Sequence, residues 1–169
     1  MKIALIGMTG CGKSTIGAEL AVALEYAFFD VDQVIQTQQE DSVANIFANH
    51  GEDHFRQAET TALRYLLDKT ESAVIACGGG IVIRQENREL LASKAFSVLL
   101  VRPAEIVLSH PEVVNRPPIN GDLKKYHMLL EQRQQLYSEA AQLTVDATNV
   151  ADAASTILKK LEKFTTSGE

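Results

Sequence analysis

One short segment near the beginning of the chain constrains its fold more than any other. Residues 7–14 read Gly-Met-Thr-Gly-Cys-Gly-Lys-Ser and fit the pattern G-x-x-x-x-G-K-[ST], whose backbone N–H groups cradle phosphate oxygens. The apolar residues 3–6 before it predict a buried strand, and residues 14–21 after it predict a helix. This order favours a phosphate-binding loop over a glycine-rich turn, which would leave the Lys-Ser pair at the helix start unexplained.

The residue types in this loop suit a nucleotide that is bound together with a metal ion. Glycines let backbone N–H groups turn towards a ligand, and the following helix directs its positive dipole end at the same place. Lys13 can reach the β- and γ-phosphates, and the hydroxyl of Ser14 can ligate Mg²⁺. We therefore predict a nucleotide site with Mg²⁺ at this loop.

Charge and composition argue against several other classes of protein. The chain has 169 residues and a net charge of −6, which fits one domain over residues 1–169 and disfavours nucleic acid or an anionic membrane as the main partner. No apolar run approaches the roughly 18 residues of a membrane span. No secretory signal precedes the first predicted strand, and the only cysteines are Cys11 and Cys77. We therefore expect a reduced, cytoplasmic protein.

Short apolar runs alternate with amphipathic stretches along the whole chain. Five such runs predict strands, at residues 3–6, 27–30, 73–76, 97–101 and 143–146. Near-continuous apolar strands joined by helices predict an α/β fold, a three-layer αβα sandwich around a five-stranded parallel sheet. The proline-rich stretch at residues 110–121 interrupts this pattern, and we interpret it as a mobile active-site lid over about residues 110–123 rather than as a linker.

Two carboxylates and three glycines follow predicted strands, at the sheet edge where ligands bind in parallel sheets. Asp30 and Asp32 follow the second strand and could hold Mg²⁺ or its waters, or accept a proton from a substrate hydroxyl. Asp32 could also cap the next helix. Gly78, Gly79 and Gly80 follow the third strand, and three consecutive glycines favour close approach of a ligand over a simple tight turn.

Helical spacing by itself predicts exposed positions for the remaining charged residues of interest. Arg56 and Glu59 are three residues apart on a predicted helix, which is typical of a solvated surface salt bridge. Arg133 and Tyr137 are four residues apart on a later helix, where an arginine is usually at the surface. Arg116 lies in the proline-rich loop. Taken singly, these residues indicate no function.

In their chain order, these motifs resemble those of the shikimate kinase family, small P-loop kinases of the nucleoside-monophosphate-kinase structural class. The matching set is the P-loop, Phe-Asp-x-Asp, Gly-Glu-x-x-Phe-Arg-x-x-Glu, Gly-Gly-Gly, a lid Arg-Pro and Arg-x-x-x-Tyr, within residues 1–161. The resemblance implies a P-loop NTPase fold and ATP-dependent phosphorylation of the 3-hydroxyl of shikimate, on the route to chorismate and the aromatic amino acids. We expect a monomer that binds shikimate and neither nucleic acid nor a membrane.

The resemblance also implies a role for each site residue. The catalytic residues would be Lys13, Asp32 and Arg116. ATP would be bound by Gly10, Cys11, Gly12, Lys13, Ser14, Thr15 and Arg116. Mg²⁺ would be bound by Ser14 and, through water, by Asp30. Shikimate would be bound by Asp32, Arg56, Gly78, Gly79, Gly80 and Arg133. The two arginines of this last set would hold its carboxylate, with Glu59 orienting the first of them.

The chain departs from the family pattern near the lid. Residues 116–119 read Arg-Pro-Pro-Ile where the family usually has Arg-Pro-Leu-Leu, and residues 108–110 (Leu-Ser-His) lack the arginine that usually stacks on adenine. Arg102 is not an evident replacement, so we predict weak selectivity for the base and appreciable use of GTP. The alternatives are another small-metabolite kinase, acting on gluconate or a nucleotide, and a nucleotide-binding regulator that has lost catalysis.

Overall fold

A five-stranded parallel sheet forms the centre of the protein, as its computed structural model shows for residues 1–115 and 119–166. The strands are β1 (Lys2–Ile6), β2 (Ala27–Asp30), β3 (Ala73–Ala76), β4 (Phe96–Val101) and β5 (Leu143–Asp146). They pair in the order β2-β3-β1-β4-β5, and every neighbouring pair is parallel. The predicted fold class is confirmed, and each predicted strand lies within one residue of the observed one.

Helices connect the strands and cover both faces of the sheet. They are α1 (Lys13–Leu24), α2 (Val31–Gln39), α3 (Val43–Lys69), α4 (Gln85–Lys94), α5 (Ala104–Leu108), α6 (Pro111–Val114), α7 (Leu123–Ala140) and α8 (Val150–Thr166). Helix α3 is broken at Gly51, where φ is 82° and ψ is 175°, so it consists of two helical pieces. The resemblance also implies a substrate-binding helical segment at about residues 32–62, a range that corresponds to α2 and the larger part of α3.

The side chains of β1 alternate between two apolar cores, one on each face of the sheet. Ile3 and Leu5 pack in the core that α1 and α8 cover, whereas Ala4 and Ile6 pack in the core that α2, α3, α4 and α7 cover. All four side chains are fully buried. A central strand of this kind must be apolar at every position, which is why the period-two alternation of a half-exposed strand is missing from the sequence.

The strand register brings the carboxyl ends of four strands to one edge of the sheet. Leu5 is paired with Ala76, Asp30 is also paired with Ala76, and Ile6 is paired with Leu99. The segments that follow these strands therefore begin at nearly the same level. They contain the phosphate-loop motif, the two aspartates and the three glycines, so the topology collects the predicted site residues into one place.

The predicted lid region contains only short elements where the structure describes it. Helix α6 has four residues, Ile119 is buried, and Asp122 caps α7 by accepting a hydrogen bond from the N–H of Lys125. Arg116, which we predicted as the lid arginine, lies with residues 117 and 118 outside the described part of the chain. Within residues 1–115 and 119–166, no helix is long and apolar enough to cross a membrane.

Candidate active site

The loop between β1 and α1 has backbone angles that favour glycine at its three glycine positions. Gly7, Gly10 and Gly12 have φ values of 140°, 84° and 96°, which L side chains rarely adopt. A Cβ atom on Gly10 would also lie 2.7 Å from a methyl group of Val107 and 2.6 Å from one of Val113. Both the conformation and the close approach of α5 and α6 therefore require glycine here.

This loop forms one wall of a cavity of about 630 Å³ at the carboxyl edge of the sheet. Five of the loop residues predicted to bind ATP line it, namely Gly10, Gly12, Lys13, Ser14 and Thr15. The side chain of Cys11 is instead buried, so a contact of this residue with a nucleotide would be made by its backbone. That phosphates bind against the loop and the first turn of α1 stays a prediction, and the structure places the predicted residues around one cavity.

Lys13 lies at the base of this cavity as the first residue of α1. Its ammonium group donates hydrogen bonds to the carbonyl oxygens of Gly7 and Met8, both at 2.8 Å, and lies 3.6 Å from the sulfur of Cys11. The side chain is 9% exposed. The loop carbonyl groups thus fold around the ammonium group and leave little of the side chain exposed to solvent.

Ser14 and Asp30 are joined by a hydrogen bond on the floor of the cavity. The hydroxyl of Ser14 donates to Oδ2 of Asp30 at 2.7 Å. The other carboxylate oxygen accepts hydrogen bonds from the N–H groups of Asp32 and Gln33, at 3.0 and 3.4 Å, so Asp30 is the N-cap of α2. Our suggestion that Asp32 caps this helix is therefore wrong, because the chain enters the helix two residues earlier.

The paired hydroxyl and carboxylate oxygens fit a magnesium ion. Mg²⁺ prefers oxygen ligands and usually takes one or two from the protein, with the rest from phosphates and water. Ser14 and Asp30 provide two such oxygens beside the phosphate loop. No cluster of three or more His, Cys, Asp or Glu side chains that could hold a metal occurs in the parts of the chain that are described. Any Mg²⁺ bound here would thus depend on the phosphates of the nucleotide.

A second group of charged residues lies next to the first, and it is buried. Arg56 is 5% exposed, Glu59 is fully buried and Arg133 is 6% exposed. Arg56 donates to Oε2 of Glu59 and, at 3.2 Å, to Oε1 of Glu52. Helical spacing alone had indicated exposed positions for these side chains, and the structure corrects that interpretation. The faces of α3 and α7 that carry them turn towards the sheet edge.

The three consecutive glycines make room for this buried group. A Cβ atom on Gly80 would overlap the guanidinium group of Arg56, and one on Gly78 would lie 2.5 Å from Oε1 of Glu59. Nη1 of Arg133 donates to the carbonyl oxygen of Gly79 at 3.1 Å. The predicted contact of these glycines with a ligand stays a prediction, and in the structure they accommodate the buried side chains of Arg56 and Glu59.

Burial changes the acid–base behaviour of Glu59. Its pKa is raised to about 7, mainly by removal from water and also by the nearby charge of Asp32, against the opposing effect of Arg56. Oε1 of Glu59 is buried and accepts no hydrogen bond from any residue within 1–115 and 119–166. Glu59 lines the small cavity of about 40 Å³ together with Arg56, Gly80 and Arg133. It is thus available as an acceptor for a ligand hydroxyl.

The large and the small cavity share one wall. Thr9, Asp32, Val43, Gly78 and Gly79 line both of them. A ligand held by the buried arginines would therefore meet the end of a phosphate chain held by the loop, with Asp32 at the junction. This is the geometry that transfer of a phosphoryl group to a small acceptor needs.

Sequence reasoning assigned no role to two residues that the structure places near these cavities. Glu52 is 60% exposed and pairs with Arg56 from one helical turn earlier, just after the break at Gly51. Arg102 lines the large cavity, with Nη1 at 3.4 Å from the carbonyl oxygen of Gly10. Its position directly after a predicted strand was the signal that could have identified it.

The two cysteines are unpaired and buried. Burial raises the pKa of the Cys77 thiol well above its ordinary value, so this side chain remains a neutral thiol. Both residues are accounted for as small apolar side chains, as the sequence suggested.

Comparison with known proteins gives one consistent result. The family model described as shikimate kinase matches residues 9–162. A shikimate kinase from Clostridium beijerinckii is 38% identical over 80% of this chain and 79% of its own length. A bifunctional shikimate kinase/3-dehydroquinate synthase from Thermotoga maritima is 35% identical over 96% of this chain, which spans only 32% of that longer protein. Among solved structures, a shikimate kinase from Acinetobacter baumannii in complex with shikimate superposes with a TM-score of 0.88 at 34% identity, covering 96% of this chain and 93% of the other.

Proposed function

Since this chain belongs to the shikimate kinase family, we infer that it transfers the γ-phosphoryl group of ATP to shikimate. We propose the 3-hydroxyl as the acceptor, which gives shikimate 3-phosphate and ADP for aromatic amino acid biosynthesis. The observation that carries the proposal is the shared wall between the phosphate-loop cavity and the cavity with the buried arginines. We also propose that the protein works as a cytoplasmic monomer, in keeping with its two unpaired cysteines.

The nucleotide half of the site is built on the phosphate loop. Backbone N–H groups of the loop and of the first turn of α1 would bind the phosphates, with the ammonium group of Lys13 beside them. Ser14 and Asp30 would hold Mg²⁺, Asp30 through a water molecule. When bound, Mg²⁺ neutralises part of the charge that develops on the transferring group. Arg116 is proposed to contribute from the lid.

The acceptor half recognises a carboxylate and several hydroxyl groups. Arg56 and Arg133 would bind the carboxylate of shikimate, because a planar guanidinium group can donate two parallel hydrogen bonds to it. Both arginines line the small cavity. The guanidinium group of Arg56 also makes cation–π contacts, with its Cζ atom 5.8 Å from the ring centre of Phe47 and 5.5 Å from that of Phe55. The buried oxygen of Glu59 would accept a hydrogen bond from a ring hydroxyl. The backbone carbonyl and N–H groups of the three glycines would accept hydrogen bonds from the ring hydroxyls or donate hydrogen bonds to them.

Asp32 is proposed to orient the reacting hydroxyl and to take its proton. Its side chain lines both cavities, so a hydroxyl bound there can face the γ-phosphate while a carboxylate oxygen accepts its hydrogen bond. Most of the rate acceleration then comes from positioning and charge stabilisation, because phosphoryl transfer needs little covalent chemistry from the protein. Closure over the site would exclude water and limit hydrolysis of ATP.

A coupled assay of ADP release tests the proposal directly. Shikimate, gluconate and nucleoside monophosphates are supplied in turn with MgATP, and we expect turnover above the ATPase background with shikimate alone. Asp32→Asn should lower kcat for shikimate by roughly 100-fold or more, as expected for loss of a general base, with a smaller change in KM. Phosphorylation of gluconate or of a nucleotide instead, or no turnover with any acceptor, would reject the proposed function.

A further inference from the structure

Arg102 reaches from the end of β4 to the phosphate loop. Strand β4 pairs with β1 in the sheet, so the first residue after β4 lies beside the loop that follows β1. Nη1 of Arg102 lies 3.4 Å from the carbonyl oxygen of Gly10, and the side chain lines the large cavity together with Gly12, Ser14 and Thr15. A cation from outside the phosphate-loop motif thus faces the space where the loop presents its N–H groups.

Most of the hydrogen-bonding capacity of Arg102 is not used by the part of the chain that the structure describes. Its Nε atom is buried and has no hydrogen-bond partner among residues 1–115 and 119–166. None of the ion pairs formed within these residues includes Arg102. A guanidinium group has five N–H donors, and leaving a buried donor unsatisfied costs free energy. A ligand with several acceptor oxygens would satisfy these donors.

An anion bound in the large cavity depends on the few cations that line it. Two permanent cations, Lys13 and Arg102, and two carboxylates, Asp30 and Asp32, line the described part of the cavity. The ammonium group of Lys13 already donates to two carbonyl oxygens. The net charge of the whole chain is −6, so its overall field repels an anionic nucleotide. Arg102 therefore adds a second local cation to balance the negative charge of a bound nucleotide, which Lys13 would otherwise balance alone.

We propose that Arg102 is a nucleotide-binding residue that donates hydrogen bonds to the phosphate chain of the bound nucleotide. The chemistry that it recognises is a di- or triphosphate, and the base does not enter the contact. A contact of this kind serves ATP and GTP equally, which accords with the weak base selectivity that the sequence predicts. The inference deepens the proposed function, because it assigns a further residue to the nucleotide half of the same site.

Titration calorimetry without shikimate tests the contact separately from catalysis. Wild type, Arg102→Ala and Arg102→Lys are titrated with MgADP, MgGDP and inorganic tripolyphosphate. For Arg102→Ala we expect Kd to rise by roughly 10- to 100-fold for all three ligands, as for loss of a charge-assisted hydrogen bond. Arg102→Lys should recover part of the affinity, because it restores the charge without the planar fork. In steady-state assays KM for ATP should rise while KM for shikimate stays within about twofold.

Arg64→Ala is the matched control. Arg64 is half-exposed and pairs with Glu86 away from the cavity, so its removal changes the net charge equally without touching the site. Its Kd values should equal those of wild type. Unchanged Kd values for Arg102→Ala, or an increase for MgADP that spares MgGDP and tripolyphosphate, would overturn the proposal.

A folding control and two possible outcomes distinguish failure of this inference from failure of the proposed function. Thermal unfolding followed by circular dichroism establishes that each variant is folded before it is titrated. If wild type binds nucleotide through Arg102 but does not phosphorylate shikimate, the function is wrong and the inference stands. If wild type phosphorylates shikimate and Arg102→Ala binds nucleotide normally, only the inference is wrong.

Discussion

The phenolic hydroxyl of Tyr137 donates a hydrogen bond to the carbonyl oxygen of Gly79, which lies 58 positions earlier in the chain. Arg133, one helical turn before Tyr137, donates to the same oxygen. Burial raises the pKa of the Tyr137 phenol well above its ordinary value, so the hydroxyl remains a donor at all ordinary pH values. Helix α7 is thereby tied to the loop of three glycines, and the Arg133 side chain is fixed beside the small cavity.

Removing this single hydroxyl should weaken recognition of the acceptor. For Tyr137→Phe we expect KM for shikimate to rise by roughly 3- to 10-fold, since one hydrogen bond contributes about 1 kcal/mol, with KM for ATP nearly unchanged. Tyr65→Phe is the control, because Tyr65 is 52% exposed. Steady-state kinetics with each substrate varied in turn provide the measurement. An equal rise in both KM values would mean that Tyr137 acts on the fold as a whole.

Replacement of Arg56 should affect both binding and stability. Arg56→Ala removes one of the two cations proposed to bind the carboxylate, so Kd for shikimate should rise by roughly 10-fold or more. It also leaves the buried carboxyl of Glu59 without its partner, which typically costs about 3–5 kcal/mol of stability when the charge stays buried. The double variant Arg56→Ala/Glu59→Gln should regain most of that stability and none of the affinity. Chemical denaturation and calorimetry measure the two effects separately.

The stability of the protein should depend on pH through Glu59. Its pKa is raised from an ordinary value of 4.5 to about 7 in the folded state. Between these values the folded state binds more protons than the unfolded state, so the free energy of unfolding falls as pH rises through this window and levels off above it. The full difference is roughly 3 kcal/mol, at 1.36 kcal/mol for each unit of pKa.

Glu59→Gln isolates this contribution. The variant has no proton to exchange at this position, whereas exposed carboxyl groups with lowered pKa values, such as Asp68 and Asp146, titrate in both proteins. The free energy of unfolding of each protein is measured by urea denaturation between about pH 5 and pH 8. The difference between the two proteins, plotted against pH, should therefore be the contribution of Glu59. Parallel curves across this range would show that Glu59 is ionised in the folded protein.

Lys13→Ala should abolish phosphoryl transfer, with kcat reduced by roughly 100-fold or more, because several kcal/mol of transition-state stabilisation are lost. Since Lys13 also binds two loop carbonyl groups, nucleotide binding should weaken as well. Lys159→Ala, at an exposed position of α8, serves as the control. Near-normal kcat in Lys13→Ala would reject the phosphate-loop assignment, and loss of the native circular dichroism spectrum would show that Lys13 is structural.

Local patterns in the sequence determined the fold class and the nucleotide half of the site. The eight residues of the phosphate loop act largely through their own backbone, and continuous apolar runs identify central strands because a strand covered on both faces has no exposed side. Neither signal depends on distant parts of the chain. Asp30 and the three glycines could be located for a similar reason, because a residue that follows a parallel strand lies at the ligand-binding edge whatever the strand order.

Only the tertiary structure decided which charged residues are buried. The spacing of Arg56 and Glu59, and that of Arg133 and Tyr137, is the same on an exposed helix as on a buried one. Their burial depends on how α3 and α7 pack over the loop of three glycines, and therefore on residues far away in the chain. The orientation of Arg102 towards the phosphate loop depends likewise on β4 lying next to β1 in the sheet. Helical period and composition contain no information about such long-range contacts, so these positions became evident only once the chain was folded.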